Sequence, residues 1–201
     1  MLQEAGLKEI STTFAITLLF CSFAFAQEKR VRQPVVQTSF GVEERVKRPV
    51  RLPRDVLQQL VNENAEQLKN CLQTDGVAEA DLPKYFVASA IDINNDGQPD
   101  LVVQAGKYCL QGAHNTAFWV FTKAGQEIAP GYELVFSRHT DWLEVLKTST
   151  NGYRDIQAAG HTALEIFSTV WKFDGTKYKP RACTVENLQT HKVVRVKCSE
   201  E

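Results

Sequence analysis

Asp92-Ile93-Asn94-Asn95-Asp96-Gly97-Gln98-Pro99-Asp100 places oxygen-bearing side chains at the first, third, fifth and ninth positions of one short stretch, with glycine at the sixth. Calcium chemistry asks for this arrangement. A hard dication takes about six to eight oxygen ligands at about 2.3 to 2.6 Å, alternate residues of a tight loop can turn inward, and glycine permits the sharp bend. Asp92, Asp96 and Asp100 bring three negative charges, the Asn94 amide oxygen and the Gln98 backbone carbonyl are neutral ligands, and two waters can complete the shell. The twelfth position is Val103, so the bidentate glutamate of an EF-hand is missing, and no helices flank the loop. The competing reading is an Asx-rich turn that never meets metal, because Asp, Asn and Gly are turn residues in their own right. Calcium is the expectation, in a structural role that fixes the connection between the strands on either side.

With the following Leu101-Val102-Val103, this stretch resembles the calcium loop of FG-GAP and VCBS-type repeats, which joins two adjacent β-strands. The resemblance covers about a dozen residues. It implies a metal loop and no activity, and because the chain has a single copy where those families repeat the motif as propeller blades, a propeller is not expected. More broadly, the order of calcium loop, Cys109, the aromatic run 117–121, Asn151-Gly152-Tyr153-Arg154-Asp155 and Phe173-Asp174-Gly175 resembles single-domain secreted bacterial proteins of uncharacterised function.

The remaining chemistry-bearing residues form weaker patterns. His114, His139, His161 and His191 are scattered, with no spacing that would bring two imidazoles to one metal. His139-Thr140-Asp141 could orient an imidazole as a base, which supplies the alternative reading of a hydrolase using loop His and Asp residues. There is no Gly-x-Ser-x-Gly elbow and no glycine-rich phosphate loop. Trp119, Phe121, Trp142, Trp171, Phe173 and Tyr178 could stack on sugars, but aromatics at alternate positions of paired strands are the usual material of a core. Arg154 and Asp155 are read as closing a turn and pairing on the surface. No catalytic residue is assigned.

The chain has 201 residues, with 23 Lys+Arg against 24 Asp+Glu, 43% hydrophobic and 23% charged. That balance is of one globular domain and excludes a wholly disordered or multi-span protein. A formal net charge of −1 gives no chain-wide basic field for nucleic acid. Thr13 to Phe25 is an uncharged apolar run closing on Ala24-Phe25-Ala26, which reads as a signal peptide cleaved after Ala26, with no transmembrane segment remaining. Glu4 and Glu9 sit badly in such a leader, and a start at Leu7 would leave Lys8 at its front. The expected product is secreted or periplasmic. It keeps Cys71, Cys109, Cys183 and Cys198, an even number in an oxidising compartment, with no Cys-x-x-Cys. Cys71 with Cys109 and Cys183 with Cys198 are the favoured pairs, the first pinning a helix to the loop before a central strand and the second joining C-terminal strands.

Residues 27–53 read as a basic flexible arm, rich in Lys and Arg with prolines at 34, 49 and 53. From 54 to 72 the apolar residues Val56, Leu57, Leu60, Val61, Ala65, Leu68, Cys71 and Leu72 recur at threes and fours and predict one helix. After Asp75-Gly76 the period is two, with β-rich runs at 85–91, 100–105, 117–123, 132–138, 142–147, 154–159, 163–173, 177–183 and 193–198. Asp174-Gly175 is expected to be a two-residue type I′ turn. The whole predicts an α+β domain over 54–198, one N-terminal helix packed on a mainly antiparallel β-sheet or partly closed barrel of seven to nine strands. The expected function is a non-enzymatic module, stabilised by one Ca2+ and two disulfides, that binds an envelope component or protein.

Overall fold

A computed structural model describes residues 36–75, 78–123 and 131–199. The predicted leader 1–26 and the first part of the predicted arm, 27–35, lie outside the described residues. The strands are antiparallel and form two open sheets: β1 (Ser39–Gly41), β7 (Trp142–Thr150), β8 (Tyr153–His161), β9 (Glu165–Phe173), β10 (Tyr178–Asn187) and β11 (Val193–Val196) in that order, and β2 (Pro49–Val50), β3 (Phe86–Ile91), β4 (Asp100–Ala105), β5 (Thr116–Lys123) and β6 (Tyr132–Thr140) in that order. There is no closed barrel. The count of strands also exceeds the seven to nine expected, because β1 and β2 come from the stretch read as an arm.

That stretch is built into the fold from Ser39 onward. Phe40 is fully buried, β1 pairs with β7, and the Gly41 carbonyl accepts a hydrogen bond of 2.9 Å from Gln104 Nε2 of the other sheet. Composition hid this, because Arg45, Lys47, Arg48 and Arg51 remain exposed around one apolar anchor.

Three layers result. Ile91, Val102, Phe118, Val120 and Phe136 of the five-stranded sheet pack against Leu143, Val145, Ile156, Trp171, Phe173 and Tyr178 of the six-stranded one. On its other face, Leu101, Val103, Ala117, Trp119 and Phe121 pack under helical residues Val56, Leu60, Leu68 and Cys71. Strand β5 alternates between the two cores, so its Ala-Phe-Trp-Val-Phe run is apolar throughout because both faces are covered.

The single helix expected over 54–72 is two, α1 (Arg54–Glu63) and α2 (Ala65–Asp75). Asn64 makes the break: its backbone N–H and its Nδ2 both donate to the Leu60 carbonyl, at 3.1 and 2.7 Å, and its own carbonyl restarts the ladder at Leu68. An Asn side chain that bonds the preceding turn competes with helix continuation. A short 3-10 segment at Tyr108–Leu110 carries Cys109, and the disulfides are Cys71–Cys109 and Cys183–Cys198, with Cα separations of 5.6 and 5.4 Å. The type I′ turn lies elsewhere than expected. Asn151 and Gly152 both have positive φ, 52° and 82°, between the paired Thr150 and Tyr153, whereas at Asp174-Gly175 only the glycine does and the pair that closes the strands is Phe173 with Tyr178.

Candidate functional site

The 92–100 loop joins β3 to β4, whose ends pair through Ile91 and Asp100. Ile93 turns into the core between the sheets and is fully buried, which forces its neighbours on either side outward. Asp92 Oδ2 accepts from Gly97 N–H at 3.1 Å, Asn94 Oδ1 from Asp96 N–H at 3.1 Å, and Asp96 Oδ1 from Gln98 N–H at 2.6 Å. Gly97 has φ +79° and Asn95 φ +58°, so the sharp bend falls where the sequence places its glycine. Gln98 Oε1 accepts from Lys123 Nζ at 3.1 Å.

Asp100 is the buried member of the set, with 0% of its surface exposed. Its Oδ2 accepts from Ile93 N–H at 2.9 Å and its Oδ1 from Lys123 N–H at 2.8 Å, so one carboxylate ties the loop, β4 and β5 together. Burial raises its pKa above the ordinary carboxylate value, opposed by these backbone N–H groups and reinforced by the charge of Asp96. Asp92 Oδ1 is buried without a hydrogen-bond partner. Among the described residues no group of three or more His, Cys, Asp or Glu side chains stands close enough to hold a metal ion as arranged. The loop oxygens are turned instead to backbone N–H groups, although each such oxygen keeps a second lone pair. The loop is also joined to the opposite sheet, since the Ile93 carbonyl accepts from Arg154 N–H at 2.8 Å.

The histidines are arranged differently from the expected His139–Asp141 pair. Asp141 Oδ2 accepts from the His161 backbone N–H at 2.7 Å and contacts His161 Nδ1, so its partner is a residue twenty positions away on β8. Nδ1 is thus the ring nitrogen of His161 that faces the carboxylate. The His114 ring lies 5.9 Å from that of His161. Among the described residues no hydroxyl or thiol hydrogen-bonds to His161, so no nucleophile is assembled beside it. His191 lies apart, 3.6 Å from Glu186. Arg154 and Asp155 do not pair on the surface: Arg154 donates to the Val145 and Leu146 carbonyls, and Asp155 is buried beside Thr148 and 3.8 Å from Lys172.

A cleft was not legible in the sequence. Two hollows of about 650 and 670 Å3 share Ser137, Arg138, Trp171 and Pro180 as walls, between the edge of β6 and the inner face of the six-stranded sheet. Trp119, Phe121, Phe173 and Tyr178 are core, as their alternation implied, and burial pushes the Tyr178 hydroxyl far above its ordinary pKa while it donates to the Arg154 carbonyl. Trp171 differs. It is 8% exposed, its indole N–H has no acceptor among the described residues, and the Arg138 guanidinium lies 4.7 Å over its ring. The only signal that could have found the cleft is the run of Lys177, Lys179 and Arg181 next to Pro180.

No family model matches the chain, and no curated protein and no solved structure is significantly similar to it. The likeness to FG-GAP and VCBS loops therefore stands on the loop residues alone.

Proposed function

We propose that this chain is an exported, non-enzymatic module of the secreted or periplasmic space, braced by two disulfides and by one Ca2+ in the 92–100 loop, that binds an envelope component or another protein through its cleft. The two disulfides fit an oxidising compartment, and among the described residues no helix is long and apolar enough to cross a membrane. The observation that carries the calcium reading is Asp100. It is a fully buried carboxylate with no cationic side chain at ion-pair distance among the described residues, and buried charges are normally paired or bound to metal. Asp92 Oδ1, buried and unpartnered, supports it from the other end of the loop. Asp92, Asn94, Asp96, Asp100 and the Gln98 carbonyl would be the ligands, after modest rotation of side chains that now accept from backbone N–H groups.

The test is a thermal melt of the oxidised protein in chelator, in millimolar Ca2+ and in millimolar Mg2+. Calcium is expected to raise the midpoint. Magnesium is expected to do less, because its small octahedral shell gives up water reluctantly. A curve unmoved by calcium would reduce the loop to a turn.

The hydrolase reading has one observation in its favour, the Asp141–His161 contact in a hollow that adjoins the cleft at Arg138, His139 and Trp171. It requires that Asp141→Asn abolish a measurable hydrolytic activity. An Asp141→Asn protein that keeps its fold and loses nothing measurable leaves the binding module.

A further inference from the structure

Among the described residues, strand β6 ends the five-stranded sheet and pairs on one side only, with β5. Its first residue is covered by α1, because Tyr132 N–H donates to Asp55 Oδ2 at 3.0 Å and the Tyr132 carbonyl accepts from Gln59 Nε2 at 2.7 Å. Beyond that point the strand meets the cleft. Leu134, Val135, Phe136, Ser137 and Arg138 all line one hollow, and Ser137, Arg138 and His139 line the other. Successive side chains of a strand point to opposite faces, so a cavity that touches five residues in a row is looking at the edge of the strand and its backbone. Val135 is the extra residue of a bulge, since Val120 pairs with Phe136 and Phe121 with Leu134.

The other three sheet edges are poorer templates. β1 has three residues, β2 has two and begins with Pro49, and β11 is flanked by Lys192 and Lys197 with Arg195 inside it. Short length, proline, lysine and bulges are the usual devices that keep an edge from pairing, and of these β6 carries only the bulge at Val135. β6 is nine residues long, and Glu133 and Arg138 are its only charged residues.

The far wall of the cleft selects among extended ligands. Lys177 and Arg181 stand at it beside one carboxylate, Asp174, and Trp171 and Pro180 give it apolar surface. Asp174 is held below the usual carboxylate range, chiefly by the N–H groups of Lys177 and Thr176 and to a smaller degree by the charges of Lys179 and Arg181. A basic rim beside an open strand edge fits an acidic segment of polypeptide. Main-chain bonds would supply affinity, and the rim and pockets would supply selectivity.

We propose that the cleft binds an acidic, extended polypeptide segment, added to β6 as a sixth strand of the five-stranded sheet with its carboxylates toward Lys177 and Arg181. This rests on the reading of the chain as a binding module and names its class of partner.

The test uses the oxidised protein and a fluorescein-labelled peptide of about eight residues that alternates valine with glutamate, the length of an ordinary strand. Binding is expected by fluorescence polarisation. A peptide alternating valine with lysine should bind at least about tenfold more weakly, because like charges across an interface are penalised. N-methylation of every second amide should weaken the acidic peptide by about tenfold or more in one register and much less in the other, since only one set of amides faces β6. The double variant Lys177→Glu/Arg181→Glu, with an unchanged melt, should lose the acidic peptide. Equal binding of acidic and basic peptides, or indifference to N-methylation in both registers, overturns the proposal. So does the absence of binding below about 1 mM, the weak limit of a specific interaction. The calcium melt on the same sample separates the two readings: a moved melt without peptide binding removes the cleft proposal alone, and peptide binding with an unmoved melt removes calcium alone.

Discussion

The 92–100 loop and the edge of β6 belong to the same five-stranded sheet, and they treat polar groups in opposite ways. In the loop five side-chain oxygens accept a backbone N–H from within the loop or from β5, Asp92 Oδ1 is left buried without a partner, and the fully buried carboxylate of Asp100 serves three segments at once. At the edge, a strand runs out with no neighbouring strand among the described residues, beside a buried indole N–H that none of their acceptors meets. A self-satisfied loop holds its shape and gains from an ion only through its uncompensated charge. An unsatisfied edge gains from any partner that can supply main-chain groups. On the proposed reading the first region would stabilise and the second would recognise, and breaking each should have a different signature.

The largest losses are expected where the walls of the cleft are tied. Replacing Cys71 and Cys109 by alanine releases a link between residues 38 apart, and replacing Cys183 and Cys198 one between residues 15 apart. Loop-closure entropy puts these at about 4 and about 3 kcal/mol, so denaturant unfolding should rank the first pair above the second. The reverse order would mean that strain or residual structure, and not the length of the closed loop, governs both.

Asp100→Ala comes next and tests whether the loop end is held by its own hydrogen bonds. It strands the N–H groups of Ile93 and Lys123 and should cost about 2 to 4 kcal/mol in urea unfolding without calcium, the sum of two lost acceptors less the relief of a buried charge. Asp96→Ala is the contrast within the same loop. Asp96 is exposed, so the substitution should cost less than about 1 kcal/mol in chelator. It should nevertheless abolish most of the calcium stabilisation, which for the parent protein is about 2.7 kcal/mol at 100 times the dissociation constant. An Asp96→Ala protein that retains the full calcium shift would move the ion to another site.

The difference between the regions also explains what could be read beforehand. The strand runs, both disulfide pairs and the loop residues depend on local period and spacing, and these survive in the order of the residues. Asn64 did not announce a break, because the apolar residues on either side of it keep a helical phase while its amide folds back onto Leu60. Phe40 was one aromatic among basic residues, and only its partners across the sheet make it core. Asp141 was read with its near neighbour His139, but antiparallel pairing of β7 with β8 brings His161 to it instead. A cleft between a strand edge and another sheet leaves little local signature beyond the basic run around Pro180, since its walls come from α1, α2, β6, β9 and β10.

The smallest expected effect is the one that most directly tests the contrast, Trp171→Phe. Removing the indole removes a buried donor that has no acceptor, and leaving such a group unmet normally costs about 1 to 3 kcal/mol. Against that gain stand the smaller ring, which leaves a void that costs roughly 24 cal/mol per Å3, and a weakened stack under Arg138 and edge contact with Phe136, whose ring lies 5.4 Å away. The opposing contributions are of similar size, so the substitution should change stability by no more than about 1 kcal/mol, far less than the 3 to 5 kcal/mol usual for truncating a buried aromatic to alanine. The acidic peptide should still bind, because its main-chain partner is β6. A loss of more than about 2 kcal/mol would mean that the indole N–H is not the unmet donor it is among the described residues, so that its removal brings no gain to set against the void and the lost contacts.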